Sequence, residues 1–142
     1  MSAETKGIAR RFFEEAFNSG NLDVVDDLAA PGFVNHDAAL PEPTVGIEAA
    51  KASIRAYREA FPDLRISIEL QVAEGEYVTT RWTARGTHQG DLMGMAATEK
   101  QATVTGITID RIVDGLFVES WTNWDTLGLM QQLGVIPALA TA

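Results

Sequence analysis

The chain has 142 residues, no cysteine and a formal charge of −9. The acidic balance repels phosphate backbones and anionic headgroups, which argues against nucleic acid or membrane as a partner, and the missing cysteines exclude disulfides, thiolate metal sites and cysteine nucleophiles. At 46% hydrophobic and 22% charged it has the composition of one ordinary globular domain spanning 1–142, with a core over about 5–134 and no apolar run near the roughly 20 residues of a membrane span. The two histidines, His36 and His88, match no metal-ligand spacing, so no metal is expected. The start of the chain lacks the apolar stretch and cleavage site of a secretory leader, and a cytoplasmic location is expected.

The first predicted element is a helix over 4–18. Ile8, Phe12, Phe13, Ala16 and Phe17 share one face, and Gly20 ends it. A short helix over 22–29 follows, with Asn21 as its N-cap; Pro31-Gly32 breaks it, and 33–37 reads as a short extended segment. Residues 39–45, with two prolines, read as a loop. A third helix, 47–61, carries Ile47, Ala50, Ile54, Tyr57 and Phe61 at helical spacing and stops at Pro62.

From there the period changes to two. Leu64, Ile66, Ile68, Leu70 and Val72 alternate with polar residues in a half-buried strand. Glu74-Gly75-Glu76 turns the chain into a strand over 77–88, one face of which carries Val78, Thr80, Trp82, Ala84, Gly86 and His88. The loop 89–99 holds Leu92, Met93 and Met95, apolar groups that suit an adaptable cover over a cavity or plain packing. Two strands, 104–112 and 116–124, flank Asp114-Gly115 and form a hairpin. A three-residue loop with Gly115 left-handed, preferred here over a two-residue one, sets Ile112 opposite Leu116 and Thr108 opposite Ser120. It gathers Asp110, Thr108, Ser120 and Thr122 on one face and leaves Ile107, Ile109, Phe117 and Trp121 on the other. Asp125 caps a last helix over 126–133, and the tail after Gly134 is weakly structured or docks on the body. Helices first and antiparallel strands after, without βαβ alternation, make an α+β fold.

The segments FNSGNLDVVDDLAAPGFVNHD, AFPDLRISIE, RWTARGTHQGDLMGMAAT, GITIDRIVDG and WDTLGLMQQLG together resemble the SnoaL-like polyketide cyclase family over about 5–134. The resemblance implies the cone-shaped nuclear transport factor 2-like fold: a curved antiparallel sheet wrapped by three N-terminal helices, with a short C-terminal helix and an internal cavity. It implies acid/base ring closure without metal or organic cofactor, by an aspartate on the last strand assisted by a histidine on the strand before. Those two positions fall on Thr122 and Thr108, alcohols that neither take nor give a proton readily at neutral pH. The asparagine that lines the family's cavity is matched by Asn35. Members often dimerise sheet to sheet, so a homodimer is expected, with Trp121 facing the partner.

Asp110 lies two residues from Thr108, hence on the same face of its strand, and is the expected replacement acid/base. The competing reading pairs it with Arg111, Arg85 or Arg81, or sets it near the solvent end of the strand. His36 or His88 would assist it; otherwise His88 is a buried structural residue and His36 an exposed one or a partner of Asp37. Asn35, Thr108, Ser120 and Thr122 would position a substrate oxygen, Trp82 and Trp124 would form cavity walls, and Met93 and Met95 would close over it. The expected function is cyclisation, isomerisation, hydration or hydrolysis of a small carbonyl-bearing substrate, polyketide-like or terpenoid-like. The alternatives are a binding protein for small ligands without catalysis and a protein-interaction domain using the outer sheet face.

Overall fold

The computed structural model describes residues 2–137. Helix α1 (Ser2–Arg11) continues as a π-helical stretch (Phe12–Asn18), followed by α2 (Asp23–Leu28), β1 (Ala29–Asp37), β2 (Thr44–Val45) and α3 (Ile47–Ala60). Then come β3 (Arg65–Glu74), β4 (Tyr77–Thr87), β5 (Gln101–Val113), β6 (Leu116–Trp124) and α4 (Thr126–Gln132). The strands form one curved sheet in the order β2-β1-β6-β5-β4-β3. Its inward face is legible along β5, where Ala102, Val104, Gly106, Thr108, Asp110 and Ile112 are buried and alternate with more exposed neighbours. Helical side chains pack on that face in two apolar clusters, one including Val25, Ile54 and Phe117, the other Phe61, Trp82 and Leu129. The fold is α+β, as the element order implies, but the sheet is mixed, because β1 runs parallel to β6.

The first helix departs from a plain α-helix where it ends. Asn18 bonds the backbone of Ile66 on β3 through both amide atoms, at 2.6 and 2.8 Å, and the Arg58 guanidinium from α3 donates to the carbonyl oxygens of Phe17 and Asn18. The π winding lies in this tethered last stretch and carries Phe12, Phe13 and Phe17 to the cavity wall. Helix α2 is shorter than expected. Leu22 rather than Asn21 stands at its N-cap with no side-chain bond, and Ala29 already belongs to β1, which runs through Pro31-Gly32. Two residues of the expected loop 39–45 pair with β1 as strand β2. Asp125 caps α4 as expected, its carboxylate accepting the Gly128 N–H at 2.8 Å. The tail expectation concerns residues that partly lie outside the described ones, 138–142.

Two β-bulges correct the sequence reading of faces. In β3 the register shifts between Ile68 and Leu70, so Leu70 and Val72 turn outward at 59% and 57% exposure while Gln71 and Ala73 become half-buried. In the hairpin the loop has two residues, Asp114 and Gly115, both at positive φ (52° and 79°), as a turn matched to strand twist requires. Val113 therefore faces Leu116 and Ile112 faces Phe117, after which the register shifts past Val118. Phe117 points into the core at 2% exposure instead of lying on the outer face. Beyond the bulge the parity is restored, so Asp110 faces Ser120 and Thr108 faces Thr122. The expected polar grouping forms, with different partners. Among the described residues no helix is long and apolar enough to cross a membrane.

Candidate active site

Strand register lays the inward side chains out in rows. Asn35, Ser120 and Asp110 are neighbours across β1, β6 and β5; Asp37, Thr122, Thr108 and Thr80 form the next row, continued onto β4; Trp124, Gly106 and Trp82 form the third. All but Gly106 and Thr80 line a cavity of about 150 Å³ walled mainly by aromatic and aliphatic groups from the π-helical stretch, α3 and the sheet. A water needs roughly a tenth of that space, so the cavity suits an organic molecule.

Asp110 is 5% exposed and has one protein partner, the Ser120 hydroxyl, which donates to Oδ1. Oδ2 has no protein hydrogen bond, and Asp110 takes part in no ion pair among the described residues. Arg111 instead pairs with Glu76 at 3.0 Å. Burial pushes the Asp110 carboxyl up to about 7, with the Ser120 hydrogen bond offsetting only part of the desolvation. At neutral pH it is thus present both as acid and as base.

Next along the sheet, the Trp82 indole donates from Nε1 to Thr108 Oγ1 at 3.0 Å, and the Thr108 and Thr122 hydroxyls share a hydrogen bond at 3.0 Å. Gly106 makes this possible: a Cβ there would stand 2.3 Å from the Trp82 ring. Gly106→Ala is expected to push the indole off β5, break its bond to Thr108 and destabilise the protein by about 1–3 kcal/mol. Urea titration and a red-shifted tryptophan emission would show it; unchanged emission would contradict this packing.

Asp37 holds the third polar group. Its Oδ1 accepts from Trp124 Nε1 at 3.0 Å and from the Ala39 N–H at 2.8 Å, and its Oδ2 from the Tyr57 hydroxyl at 3.0 Å. Burial, then the charge of Asp37, raises the Tyr57 hydroxyl far above the usual phenol range, so it stays a donor. The sequence reading named Asp37 only as a partner for His36. The available signal was Tyr57 itself, a hydroxyl on the apolar face of α3 that needs a buried acceptor.

Of the residues expected at the site, Asn35, Trp82, Thr108, Asp110, Ser120, Thr122 and Trp124 face the cavity, and four others do not. His36 alternates with inward Asn35 and Asp37 and so points to the outer face. There it stacks on Trp121 at 5.6 Å, with Nε2 2.6 Å from Glu119 Oε2. His88 is fully buried behind Phe61, its ring 5.5 Å away, and its Nδ1 accepts the Thr98 N–H at 3.2 Å, which pins the loop 89–99. Met93 is 45% exposed and Met95 half-buried on a tight turn off the cavity, because Leu92 takes the buried place in that loop.

A family model described as SnoaL-like polyketide cyclase matches residues 7–133. The aklanonic acid methyl ester cyclase of Streptomyces peucetius is 32% identical over 123 residues, 84% of each chain. The nogalonic acid methyl ester cyclase of Streptomyces nogalater is 29% identical over 121 residues, 84% of this chain and 90% of its own. A solved structure from Jannaschia sp. CCS1, described as a candidate SnoaL-like polyketide cyclase, superposes with a TM-score of 0.88 at 25% identity, covering 96% of this chain and 95% of that one.

Proposed function

The chain belongs to the SnoaL-like polyketide cyclase family, and we propose that it closes a ring in a carbonyl-bearing, polyketide-like ester by acid/base chemistry at Asp110. One observation carries this reading: a buried carboxyl with a near-neutral pKa and an unengaged Oδ2 in an apolar cavity. The Asp110 carboxylate removes a proton from a carbon next to one carbonyl. That carbon's electron pair attacks a second carbonyl carbon of the same molecule and forms the C–C bond. The second carbonyl's π pair moves onto its oxygen, which takes the proton back from Asp110. Substrate and product are isomers, and the carboxylate is regenerated.

A pKa near the working pH suits a group that both takes and returns a proton. The mostly apolar wall offers few groups that would protonate the carbanion before it attacks. Thr108 and Thr122 occupy the positions of the acid/base pair that the family resemblance implies, and Asp110 supplies a carboxyl one inward position along β5 from Thr108. The two relatives named above are cyclases of aklanonic and nogalonic acid methyl esters, which supports a methyl ester substrate. The test is to incubate the protein with aklanonic or nogalonic acid methyl ester and follow a product of unchanged mass by chromatography. Ring closure that disappears with Asp110→Asn supports the reading, and turnover indifferent to that change overturns it. Ester binding, seen as tryptophan quenching, with no turnover by either protein would make the chain a small-ligand binder.

We propose further that two copies pair through the outer sheet face, where Leu70, Val72, Tyr77, Ile107 and Ile109 are exposed beside the His36–Trp121 stack. Sedimentation is expected to give twice the 15.4 kDa chain mass for the wild type and the single-chain mass for Ile109→Arg. A monomeric wild type would refute it.

A further inference from the structure

We infer that Trp82, Thr108 and Thr122 form a hydrogen-bond donor directed at a substrate oxygen that gains negative charge when Asp110 removes a proton. This rests on the acid/base reading of Asp110 and adds the group that receives the charge.

The argument is a count of hydrogens. The Trp82 indole can only donate, and it donates to Thr108 Oγ1. The two threonine hydroxyls share a single hydrogen bond. Three hydrogens therefore serve two bonds, and neither threonine hydroxyl makes any other hydrogen bond among the described residues. If Thr108 donates to Thr122, the Thr122 hydrogen is left over; if Thr122 donates, the Thr108 hydrogen is. Either way one hydroxyl hydrogen has no acceptor among the described residues, and both side chains line the cavity. Asp37 sits beside Thr122 across β1 and β6, but its oxygens accept from Tyr57, Trp124 and Ala39 and no hydrogen bond joins it to Thr122. A ligand oxygen in the cavity can be the acceptor, in place of water.

Placement matches the chemistry. Thr108 and Asp110 are alternate inward residues of β5, about 6–7 Å apart along the strand. A carbonyl group bridges that gap, with its neighbouring carbon against Asp110 Oδ2 and its oxygen against the threonine hydroxyl. Proton removal moves charge from that carbon to the oxygen, where a fixed donor is most effective. The donor is fixed because the Trp82 ring lies against Gly106, where no Cβ intervenes.

The probe is a hydroxynaphthalene (β-naphthol), whose emission distinguishes the neutral phenol from its oxyanion. It is titrated in the Asp110→Asn protein, so that no carboxyl at that position titrates with it. The spare donor is expected to favour the bound oxyanion. Thr108→Val combined with Thr122→Val is expected to weaken the ionisation constant of the bound probe roughly tenfold or more. Trp82→Phe should weaken it less, and Thr122→Ser should preserve it. Circular dichroism identifies folded variants, and the two milder changes carry the test if the double valine variant does not fold. An unchanged ionisation constant in folded Thr108→Val and Thr122→Val proteins overturns the inference, as does failure of the probe to shift the indole N–H resonances of Trp82 and Trp124. If the probe result fails while Asp110→Asn still loses ester turnover, only the donor assignment falls. If turnover is indifferent to Asp110→Asn, the acid/base reading falls.

Discussion

Asp110→Asn is expected to lower ring closure by about 10²–10⁴-fold and, near pH 8, to make the protein more stable. Both effects have one cause. Burial lifts the Asp110 carboxyl from the ordinary 3.8 to about 7 in the folded chain. Between those two values the folded state holds a proton that the unfolded state has released, so stability falls as pH rises. The contribution of this group is fully present below about pH 4 and is lost as pH rises through about 7. A difference of about three pKa units corresponds to roughly 4 kcal/mol. Asparagine keeps the shape, stays neutral at every pH and can still bond Ser120. The variant is therefore expected to exceed the wild type by about 2–4 kcal/mol near pH 8 and to match it near pH 4. Urea titrations at the two pH values measure this. Parallel pH dependences in the two proteins would show that Asp110 is not buried as an anion at high pH. Wild-type kcat/KM should rise with pH through about 7, because proton removal needs the carboxylate.

How much of this was legible in the sequence depends on how local each signal is. Helix faces and the alternation of β4 and β5 are read within a few residues, and they put Asp110, Thr108 and Trp82 on the inward face where the structure has them. A bulge is a single inserted residue with little compositional mark, yet it exchanges the two faces of a strand. Hence Leu70, Val72 and Phe117 were each assigned to the wrong face, while Ser120 and Thr122, beyond the second bulge, were not. The outward turn of His36 was legible: once Asn35 lines the cavity, alternation sends its neighbour the other way. His88 followed the inward parity of β4 and still missed the cavity, because Phe61 lies against its ring, a contact only the packed helix supplies. Asp37 is the least legible case. Its donors Tyr57 and Trp124 stand 20 and 87 residues away, and no local pattern joins them.

That long reach makes Asp37→Ala the most destabilising change expected at the cavity. The carboxylate ties α3 to β1 and β6 through Tyr57 and Trp124 and closes the turn after β1 through Ala39. Removing it leaves a phenol, an indole and a backbone N–H without their acceptor, all in partly buried surroundings. Hydrogen bonds to a charged acceptor contribute about 1.5–3 kcal/mol each when well shielded and less with partial exposure, so a total loss of about 3–5 kcal/mol is expected. Asp37→Asn keeps one acceptor oxygen and should cost about half as much. Tyr57→Phe removes a donor together with its need, so it should be milder, and the Asp37/Tyr57 double-mutant cycle should show a coupling of about 1 kcal/mol or more. Released from Asp37, Trp124 would also lose its edge contact with Tyr57, now at 6.1 Å, and its emission should shift to the red. A cost below about 1 kcal/mol with unchanged emission would mean that water replaces the carboxylate without loss. Near pH 8 the two aspartates should move stability in opposite directions. One is a carboxyl that desolvation makes reactive at a cost to the fold; the other is a carboxylate that three donors make part of the fold.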